Sequence, residues 1–567
     1  MFYLNSRAYT LSTMYNRCRY YISIGKRVSY NKRVSFNDYE EYFMKHILSL
    51  VLMLLNGVTI VSNSAPVNGV SKVKTTPESN VILSADFEND SPLKGWSGVA
   101  MLDTGYKSVH SMRIESKPGG HGTALDFILP IDKLRGCLVI VSAMVRAENV
   151  SKPPQSWNGI KLMMPITTPG STVYPQGKVG VGTFDWMRVS CAVRVPMDAT
   201  SASLHLGLEE VTGTVWFDNV RVVVARRAAA ITRKKNAGPL FKGHNLPRLR
   251  GTMISPNITP ESLRTLGKEW NANVLRWQLI RSNTSGSDNY EKWLDGELTK
   301  LDKALPLCRR YGLLVVVDLH SPPGGAASAG GYMAADADMF SDKTCQTRFV
   351  EVWQRIARRY KGVKGIWGFD LANEPIETSL TEGLDDWPGL AQRAALAIHK
   401  IDKTRTLIVE AAYGANPDGF SVLAPIDIPN VVYSVHMYLP HTFTHQGVFG
   451  PSKPFSYPGD IDGKIWDRAQ LEKALEPVIA FQKRYGVHIY VGEFSAIRWA
   501  PDDSAYRYLK DLLDIFEQHG WDWTYHAFRE WDGWSVEHGS DRADTTPSKI
   551  PTTREKLLRS WYIKNRK

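Results

Sequence analysis

Hydrophobic and polar residues change their spacing once along this chain, near residue 240. Before that point, short apolar-rich segments such as Gly136–Val141 and Ser203–Leu208 are separated by glycine and proline, and no helical period is sustained. This spacing predicts an antiparallel β-sandwich over residues 80–225. After it, apolar runs of strand length alternate with helical segments such as Ser504–His519, which predicts a parallel sheet.

The second pattern contains eight strand-like runs within residues 248–567. Eight strands that alternate with helices over this length predict a (β/α)8 TIM barrel. Residues 66–79 and 226–247 lack any periodic order and are interpreted as linkers. The predicted strands are Leu249–Met253, Val274–Trp277, Leu313–Leu319, Ile366–Leu371, Leu407–Glu410, Val431–Met437, Ile489–Gly492 and Trp523–Phe528.

Residues 1–65 have the composition of a targeting segment. Met44, Lys45 and His46 precede the apolar run Ile47–Val61, and small and polar residues follow it, which is the order of parts in a signal peptide. We therefore expect translation to start at Met44 and the mature protein to be secreted or periplasmic. The run is short for a membrane span, and the alternative is a signal anchor with a cytoplasmic tail.

The formal charge of +12 raises nucleic acid as a partner, but the basic residues are scattered or terminal and form no nucleic-acid motif. The basic cluster of residues 226–235 is interpreted as part of a solvated linker. The five cysteines show no zinc or redox spacing. Cys137 and Cys191 could pair within the sandwich or remain free thiols, and the state of Cys308 and Cys345 is equally open. We expect a monomer without a nucleic-acid partner or stable membrane insertion.

Two glutamates follow predicted strands. The run of residues 365–371 ends in Ala372, Asn373, Glu374 and Pro375, and the run of residues 487–491 ends at Glu493. Pro375 cannot continue a hydrogen-bonded ladder, so Glu374 is expected at the strand's carboxyl end. Active sites of TIM barrels lie at that face, and paired carboxylates are what glycoside hydrolysis requires. Further polar residues lie at or just after the carboxyl ends of other predicted strands: Arg276, His320, His436 and Tyr438.

This ordered set resembles glycoside hydrolase family 5, the family of many cellulases and mannanases, over roughly residues 245–560. The resemblance implies a retaining mechanism with Glu374 as general acid/base and Glu493 as nucleophile. It also implies that Asn373 holds the sugar's 2-hydroxyl, that Tyr438 hydrogen-bonds the nucleophile, and that a tryptophan after strand eight lies beneath the cleaved sugar, for which we choose Trp531. Three residues would set charge and orientation: Arg276, His320 and His436.

The first domain resembles the jelly-roll carbohydrate-binding modules at its two ends, Asp86–Trp96 and Gly213–Val220. The resemblance implies a structural calcium ion near Glu88 and Asp218, whose hard oxygen atoms suit that ion. The alternative is that both are ordinary turn and edge residues. Trp96, Trp157 and Tyr174 are candidates for stacking on sugar, whereas Trp186 and Trp216 lie in apolar strands and are expected in the core.

Together these features predict a secreted, retaining β-glycoside hydrolase that cleaves β-glucan, with β-1,4-glucan as the first choice. The alternatives are a β-mannanase, a mixed-linkage or β-1,3-glucanase, and, from another class, a non-catalytic glycan-binding protein. No cofactor is expected for catalysis, and the partner is a polysaccharide or oligosaccharide. The change of pattern near residue 240 also predicts that the barrel folds and hydrolyses short oligosaccharides without the sandwich.

Overall fold

The computed structural model describes residues 80–119, 122–226, 240–281, 290–323, 338–377 and 383–565. The predicted signal peptide, the linker of residues 66–79 and most of the linker of residues 226–247 lie outside these ranges. The described chain contains a first domain of antiparallel strands and a second domain of parallel strands and helices. The strands of the first domain are β1 (Val81–Ala85), β2 (Trp96–Ser97), β3 (Met101–Asp103), β4 (Ser111–Ser116), β5 (Gly122–Ile128), β6 (Leu138–Val150), β7 (Gly159–Met163), β8 (Ile166–Thr167), β9 (Thr172–Val173), β10 (Gly182–Arg194), β11 (Ser201–Glu209) and β12 (Gly213–Arg226).

These strands form two six-stranded antiparallel sheets. One has the order β10-β6-β12-β4-β3 with β1 beside β12, and the other has the order β2-β5-β11-β8-β9 with β7 beside β11. Inward-facing side chains of both sheets share one hydrophobic cluster, which includes Ile114, Leu125, Val141, Leu204 and Phe217. Buried positions alternate with more exposed ones in parts of β11 and β12, as in a sheet with one solvated face, whereas β7 is buried along its whole length.

The second domain is a closed eight-stranded parallel barrel. Every strand is buried along its whole length, apart from one half-buried residue in each of two strands, because helices cover the outer face. The barrel strands are β13 (Arg250–Ile254), β14 (Val274–Gln278), β15 (Leu314–Asp318), β16 (Ile366–Asp370), β17 (Thr406–Glu410), β18 (Val431–Met437), β21 (Ile489–Phe494) and β22 (Asp522–Phe528), and the short hairpin of β19 (Gly459–Ile461) and β20 (Lys464–Trp466) lies between β18 and β21. The described helices are α1 (Pro260–Arg264), α2 (Tyr290–Tyr311), α3 (Lys343–Tyr360), α4 (Trp387–Ile401), α5 (Ala412–Ala415), α6 (His441–Thr444), α7 (Arg468–Ala474), α8 (Glu476–Tyr485), α9 (Ser504–His519) and α10 (Thr553–Tyr562).

All eight predicted barrel strands are present, and their bounds differ from the prediction by two residues at most. The helical segment before β21 is divided into two helices, α7 and α8, which meet at Leu475. Pro477 lies in the first turn of α8, where its missing N–H group costs no hydrogen bond, so the proline starts a new helix rather than continuing the old one.

Within the sandwich, Trp216 is buried and its indole N–H donates to Asp103, as its apolar strand predicts. Trp186 is only half-buried and packs its ring against Tyr106, so the expectation that it is a core residue is wrong. Its strand, β10, lies at the edge of its sheet, which leaves one flank of the side chain open. Cys137, Cys191, Cys308 and Cys345 are free thiols. None of the helices in the described ranges combines the length and the apolar character needed to cross a membrane.

Glu88 and Asp218 both contact the loop of residues 106–110. Asp218 is buried and accepts hydrogen bonds from the N–H of Tyr106 at 2.7 Å and the hydroxyl of Ser108 at 2.8 Å. Glu88 accepts from the N–H of His110 at 2.6 Å. These carboxylate oxygens therefore face hydrogen-bond donors, and no buried oxygen of either residue lacks a partner. The calcium ion stays a prediction that this arrangement does not support.

Candidate active site

Glu374 follows strand β16 and has a left-handed backbone conformation, with φ at 45°. A non-glycine residue takes this conformation only where its surroundings hold it. The N–H of Glu374 donates to Oε2 of Glu410 at 2.7 Å, and the carbonyl of Pro375 accepts from the N–H of Gly414 at 3.0 Å. Asn373, the preceding residue, accepts from Nη2 of Arg276 at 3.1 Å. The whole turn is thus fixed at the carboxyl face of the barrel.

Glu493 lies near the end of strand β21 and is buried. Its Oε1 accepts from Nη1 of Arg276 at 2.6 Å, and its Oε2 accepts from the hydroxyl of Tyr438 at 2.8 Å. His526, on strand β22, places Nδ1 3.7 Å from Oε2 of Glu493 and 2.5 Å from the tyrosine hydroxyl. Three side chains from three different strand ends therefore orient one carboxylate.

The carboxylates of Glu374 and Glu493 face each other across His436. One oxygen from each glutamate and one ring nitrogen of the histidine all lie within 4.8 Å of one another. Nδ1 of His436 is 3.2 Å from Oε1 of Glu374 and 3.9 Å from Oε2 of Glu493, whereas Nε2 is 3.3 Å from Oε1 of Glu410. The two residues that sequence spacing singled out are thus neighbours at one site.

Arg276 is fully buried beneath this site and forms ion pairs with four carboxylates. The partners and distances are Glu493 at 2.6 Å, Glu410 at 2.7 Å, Asp370 at 3.0 Å and Asp318 at 3.1 Å. Oxygens of Asp318, Asp370 and Glu410 lie close enough together to hold a metal ion, but the guanidinium group already lies among them. A buried guanidinium with several donors suits this role better than a lysine would.

The charges around Glu493 favour its ionised form. Burial alone would raise the pKa of Glu493, but His436, His526 and Arg276 outweigh it and hold the pKa below its usual range. Burial lowers the pKa of His436, yet the neighbouring Glu410 and Glu493 raise it well above its usual value. Burial also raises the pKa of Asp370, and the adjacent Glu410 adds to this. An ionised Glu493 is therefore compatible with its buried position.

His320 lies at the same face, and its Nδ1 is 2.7 Å from Oδ2 of Asp318. The ring of Trp531 packs against Trp499 and Trp534, and the ring of Trp534 lies 5.8 Å from that of His526. The side chain from strand β22 that contacts Glu493 is His526, which sequence reasoning missed because it searched this strand end for a tryptophan. The role of Trp531 beneath a sugar stays a prediction.

Three further site residues were missed: Asp318, Asp370 and Glu410. Each is the last residue of its strand, on β15, β16 and β17 in succession. The sequence did contain a signal for them, because each of three consecutive apolar strands ends in an acidic residue. A buried arginine such as Arg276 needs nearby carboxylates.

A parallel barrel with two neighbouring carboxylates at the carboxyl ends of its strands is an arrangement typical of glycosidases. The family model "Cellulase (glycosyl hydrolase family 5)" matches residues 234–532, which is more than half of the chain. The chain therefore belongs to glycosyl hydrolase family 5 and is an O-glycosyl hydrolase.

Known relatives match part of the chain. Endoglucanase C of Acetivibrio thermocellus is 29% identical over 270 residues, which cover 42% of this chain and 75% of the relative. Cellodextrinase A of Ruminococcus flavefaciens is 29% identical over 225 residues, which cover 39% of this chain and 64% of the relative. The crystal structure of endoglucanase Cel5A from Thermotoga maritima matches with 24% identity and a TM-score of 0.43, and covers 55% of this chain and 96% of that one.

Proposed function

We propose that this glycosidase cleaves β-glucan, with β-1,4-glucan as the first substrate, by a retaining double displacement. The observation that carries the mechanism is the approach of the Glu374 and Glu493 carboxylates to within 4.8 Å. Retaining pairs lie about 5 Å apart, whereas inverting pairs lie about 6.5–9.5 Å apart to admit a water molecule. The endoglucanase and cellodextrinase names of the relatives support the choice of glucan.

In this proposal Glu493 attacks the anomeric carbon while Glu374 protonates the departing oxygen. Arg276, Tyr438 and His526 keep the nucleophile ionised and oriented. Formation of the glycosyl ester removes the charge of Glu493, after which Glu374 takes a proton from water and the ester is hydrolysed. His436 contacts both carboxylates and balances their charge through each step.

A panel of soluble polysaccharides tests the proposal: a β-1,4-glucan, a mixed-linkage glucan, a β-1,3-glucan and a β-mannan, assayed for reducing ends. We expect the fastest release from β-1,4-glucan and, by proton magnetic resonance, a first product with retained β configuration. Glu374→Gln and Glu493→Gln should each lower the rate by about 10² or more and remain folded. Glu291→Gln, which changes an exposed carboxylate of helix α2, is the matched control. Wild-type turnover in either active-site variant, or an inverted first product, refutes the mechanism.

We also propose that the sandwich binds polysaccharide. The side chains of Trp157 and Tyr174 are exposed, by 41% and 46%, and flat aromatic faces of this kind stack on sugar rings. Trp96 supports this role less, because its ring packs against Phe127 and the sandwich core. The double variant Trp157→Ala with Tyr174→Ala should lose retention on insoluble cellulose while keeping turnover of soluble cellotetraose. Unchanged retention contradicts the proposal.

Export is proposed from the sequence around Met44 alone, which lies outside the described residues. We expect a mature amino terminus near residues 64–66. Sequencing the amino terminus of the exported protein decides this, and recovery of residues 1–43 on the mature chain contradicts it.

A further inference from the structure

Two arginines of the sandwich lie at the same end of one sheet. Arg194 is the last residue of β10 and Arg226 is the last residue of β12. Strand β6 lies between them, and its first residue, Leu138, is the register partner of both. The sheet order therefore brings two cations together at one point of the sandwich surface.

Both arginines bind carboxylates of the barrel. Nη1 of Arg194 donates to Oδ2 of Asp386 at 2.6 Å, and its Nη2 donates to Oε1 of Glu377 at 2.6 Å and also to Oε2. Arg226 donates to Asp386 only, from Nε at 3.0 Å and from Nη2. The side chains of Arg194, Glu377 and Asp386 are 8%, 6% and 1% exposed, so this cluster is closed to solvent. Of the two arginines, only Arg194 contacts Glu377.

Glu377 lies three residues after Glu374, on the segment that carries the catalytic acid. Its carboxylate also accepts from the N–H of Trp387, and the indole of Trp387 donates to the carbonyl of Glu410 at 2.9 Å. Glu410 in turn accepts from the N–H of Glu374. Hydrogen bonds within the barrel thus hold Glu374 at one end of this short segment, and the ion pair with Arg194 holds Glu377 at the other. Glu374 has a left-handed backbone conformation, which persists only where the surroundings support it.

We infer that Arg194 of the sandwich is a positioning residue for the acid/base Glu374, so that the first domain completes the catalytic domain as well as extending it. This inference rests on the proposed role of Glu374 as the acid. A general acid acts only within hydrogen-bond reach of the departing oxygen, and a displacement of about 1 Å lowers the rate by about 10². Loss of the Arg194 ion pair leaves Glu377 buried without a cation, and the segment must rearrange to expose or neutralise it.

The test compares two leaving groups on the full-length protein. Hydrolysis of 2,4-dinitrophenyl β-cellobioside needs little protonation of the departing oxygen, whereas phenyl β-cellobioside depends on the acid. We expect Arg194→Ala to lower kcat/KM for the phenyl glycoside by about 10- to 100-fold and for the dinitrophenyl glycoside by less than about threefold. Arg194→Lys should recover part of the loss, since it restores a cation without the bidentate geometry.

Arg226→Ala is the matched control, because it removes an arginine from the same end of the sheet but leaves the ion pair of Arg194 with Glu377 in place. Its kcat/KM values for the two glycosides should stay within about threefold of wild type. If Arg194→Ala fails to fold, Glu377→Gln tests the same contact without leaving an unpaired buried charge, and the same leaving-group dependence is expected. Equal losses on both glycosides, or no loss, overturn the inference. Glu374→Gln distinguishes failure of this inference from failure of the proposed function. If the rate of Glu374→Gln does not depend on the leaving group, the assignment of Glu374 as the acid itself fails.

Discussion

Removing the hydroxyl of Tyr438 should raise the pKa of Glu493, the proposed nucleophile. The hydroxyl lies 2.8 Å from Oε2 of Glu493 and 2.5 Å from Nδ1 of His526, and the phenol ring is buried, so Tyr438→Phe deletes one polar atom without opening a large cavity. A hydrogen bond to a charged group contributes about 1.5–3 kcal/mol. Since one pKa unit corresponds to about 1.4 kcal/mol, the pKa of Glu493 should rise by about one to two units.

The sign of the pH effect follows from the depressed pKa of Glu493. Glu493 attacks only when ionised, so activity is present above its folded pKa and is lost as the pH falls through it. In Tyr438→Phe the acid limb of kcat/KM for a soluble aryl β-cellobioside should therefore lie about one to two pH units higher. The same hydrogen bond stabilises the folded state above the unfolded pKa of Glu493, so the variant should also lose about 1.5–3 kcal/mol of unfolding free energy at neutral pH in a urea titration.

Tyr562→Phe is the control for deletion of a buried hydroxyl. That hydroxyl donates to the carbonyl of Gly251 at 2.8 Å, near the start of strand β13 and away from the carboxyl ends of the strands. The variant should lose stability and leave the acid limb unchanged. An acid limb that stays in place in a folded Tyr438→Phe protein would refute the reasoning, because the hydroxyl would then contribute nothing to the ionisation of Glu493.

Three other substitutions have defined outcomes. Arg276→Met leaves its four buried carboxylates without a shared cation and should lower the free energy of unfolding by about 3–5 kcal/mol in urea; a change below about 1 kcal/mol contradicts the ion-pair assignment. Glu410→Gln removes the charge that most raises the pKa of His436, so His436 should lose its proton at a lower pH. The alkaline limb of kcat/KM should then shift to lower pH, and an unchanged limb counts against this. Asp218→Ala removes the carboxylate oxygen that accepts two hydrogen bonds from the loop of residues 106–110 and should lower stability by about 1–3 kcal/mol in a denaturant titration; unaltered stability would contradict this.

The sequence was sufficient to locate the barrel strands and the two catalytic candidates. Buried parallel strands are continuous apolar runs, and each run here is bounded by a helix or a polar turn, so position along the chain translates directly into position in the barrel. Glu374 and Glu493 stand out because a carboxylate that ends such a run must lie at the carboxyl face. The same rule applied to Asp318, Asp370 and Glu410 would have found the partners of Arg276.

Side-chain packing at the strand ends could not be predicted in this way. Four tryptophans lie in or near strand β22, between residues 521 and 534, and their order in the chain does not show which ring faces the carboxylates. The structure places His526 3.7 Å from Glu493 and packs Trp531 against Trp534, a result that depends on how the chain turns after Phe528. Rotamers and loop paths of this kind are set by packing, for which a single sequence carries no periodic signal.

The contact between Arg194 and Glu377 shows the same limit across domains, because 183 positions separate the two residues and no local pattern connects them. A change of pattern near residue 240 predicted a barrel that works alone, since domains with separate cores are expected to fold separately. The ion cluster changes that expectation. A barrel without the sandwich retains Glu377 and Asp386 but loses both arginines, and two carboxylates evolved for a buried, paired environment must then become solvated or protonated. Because Glu377 lies on the same segment as Glu374, we expect that rearrangement to displace Glu374, the proposed catalytic acid. Turnover of short oligosaccharides should therefore depend on the first domain even where those substrates do not contact it.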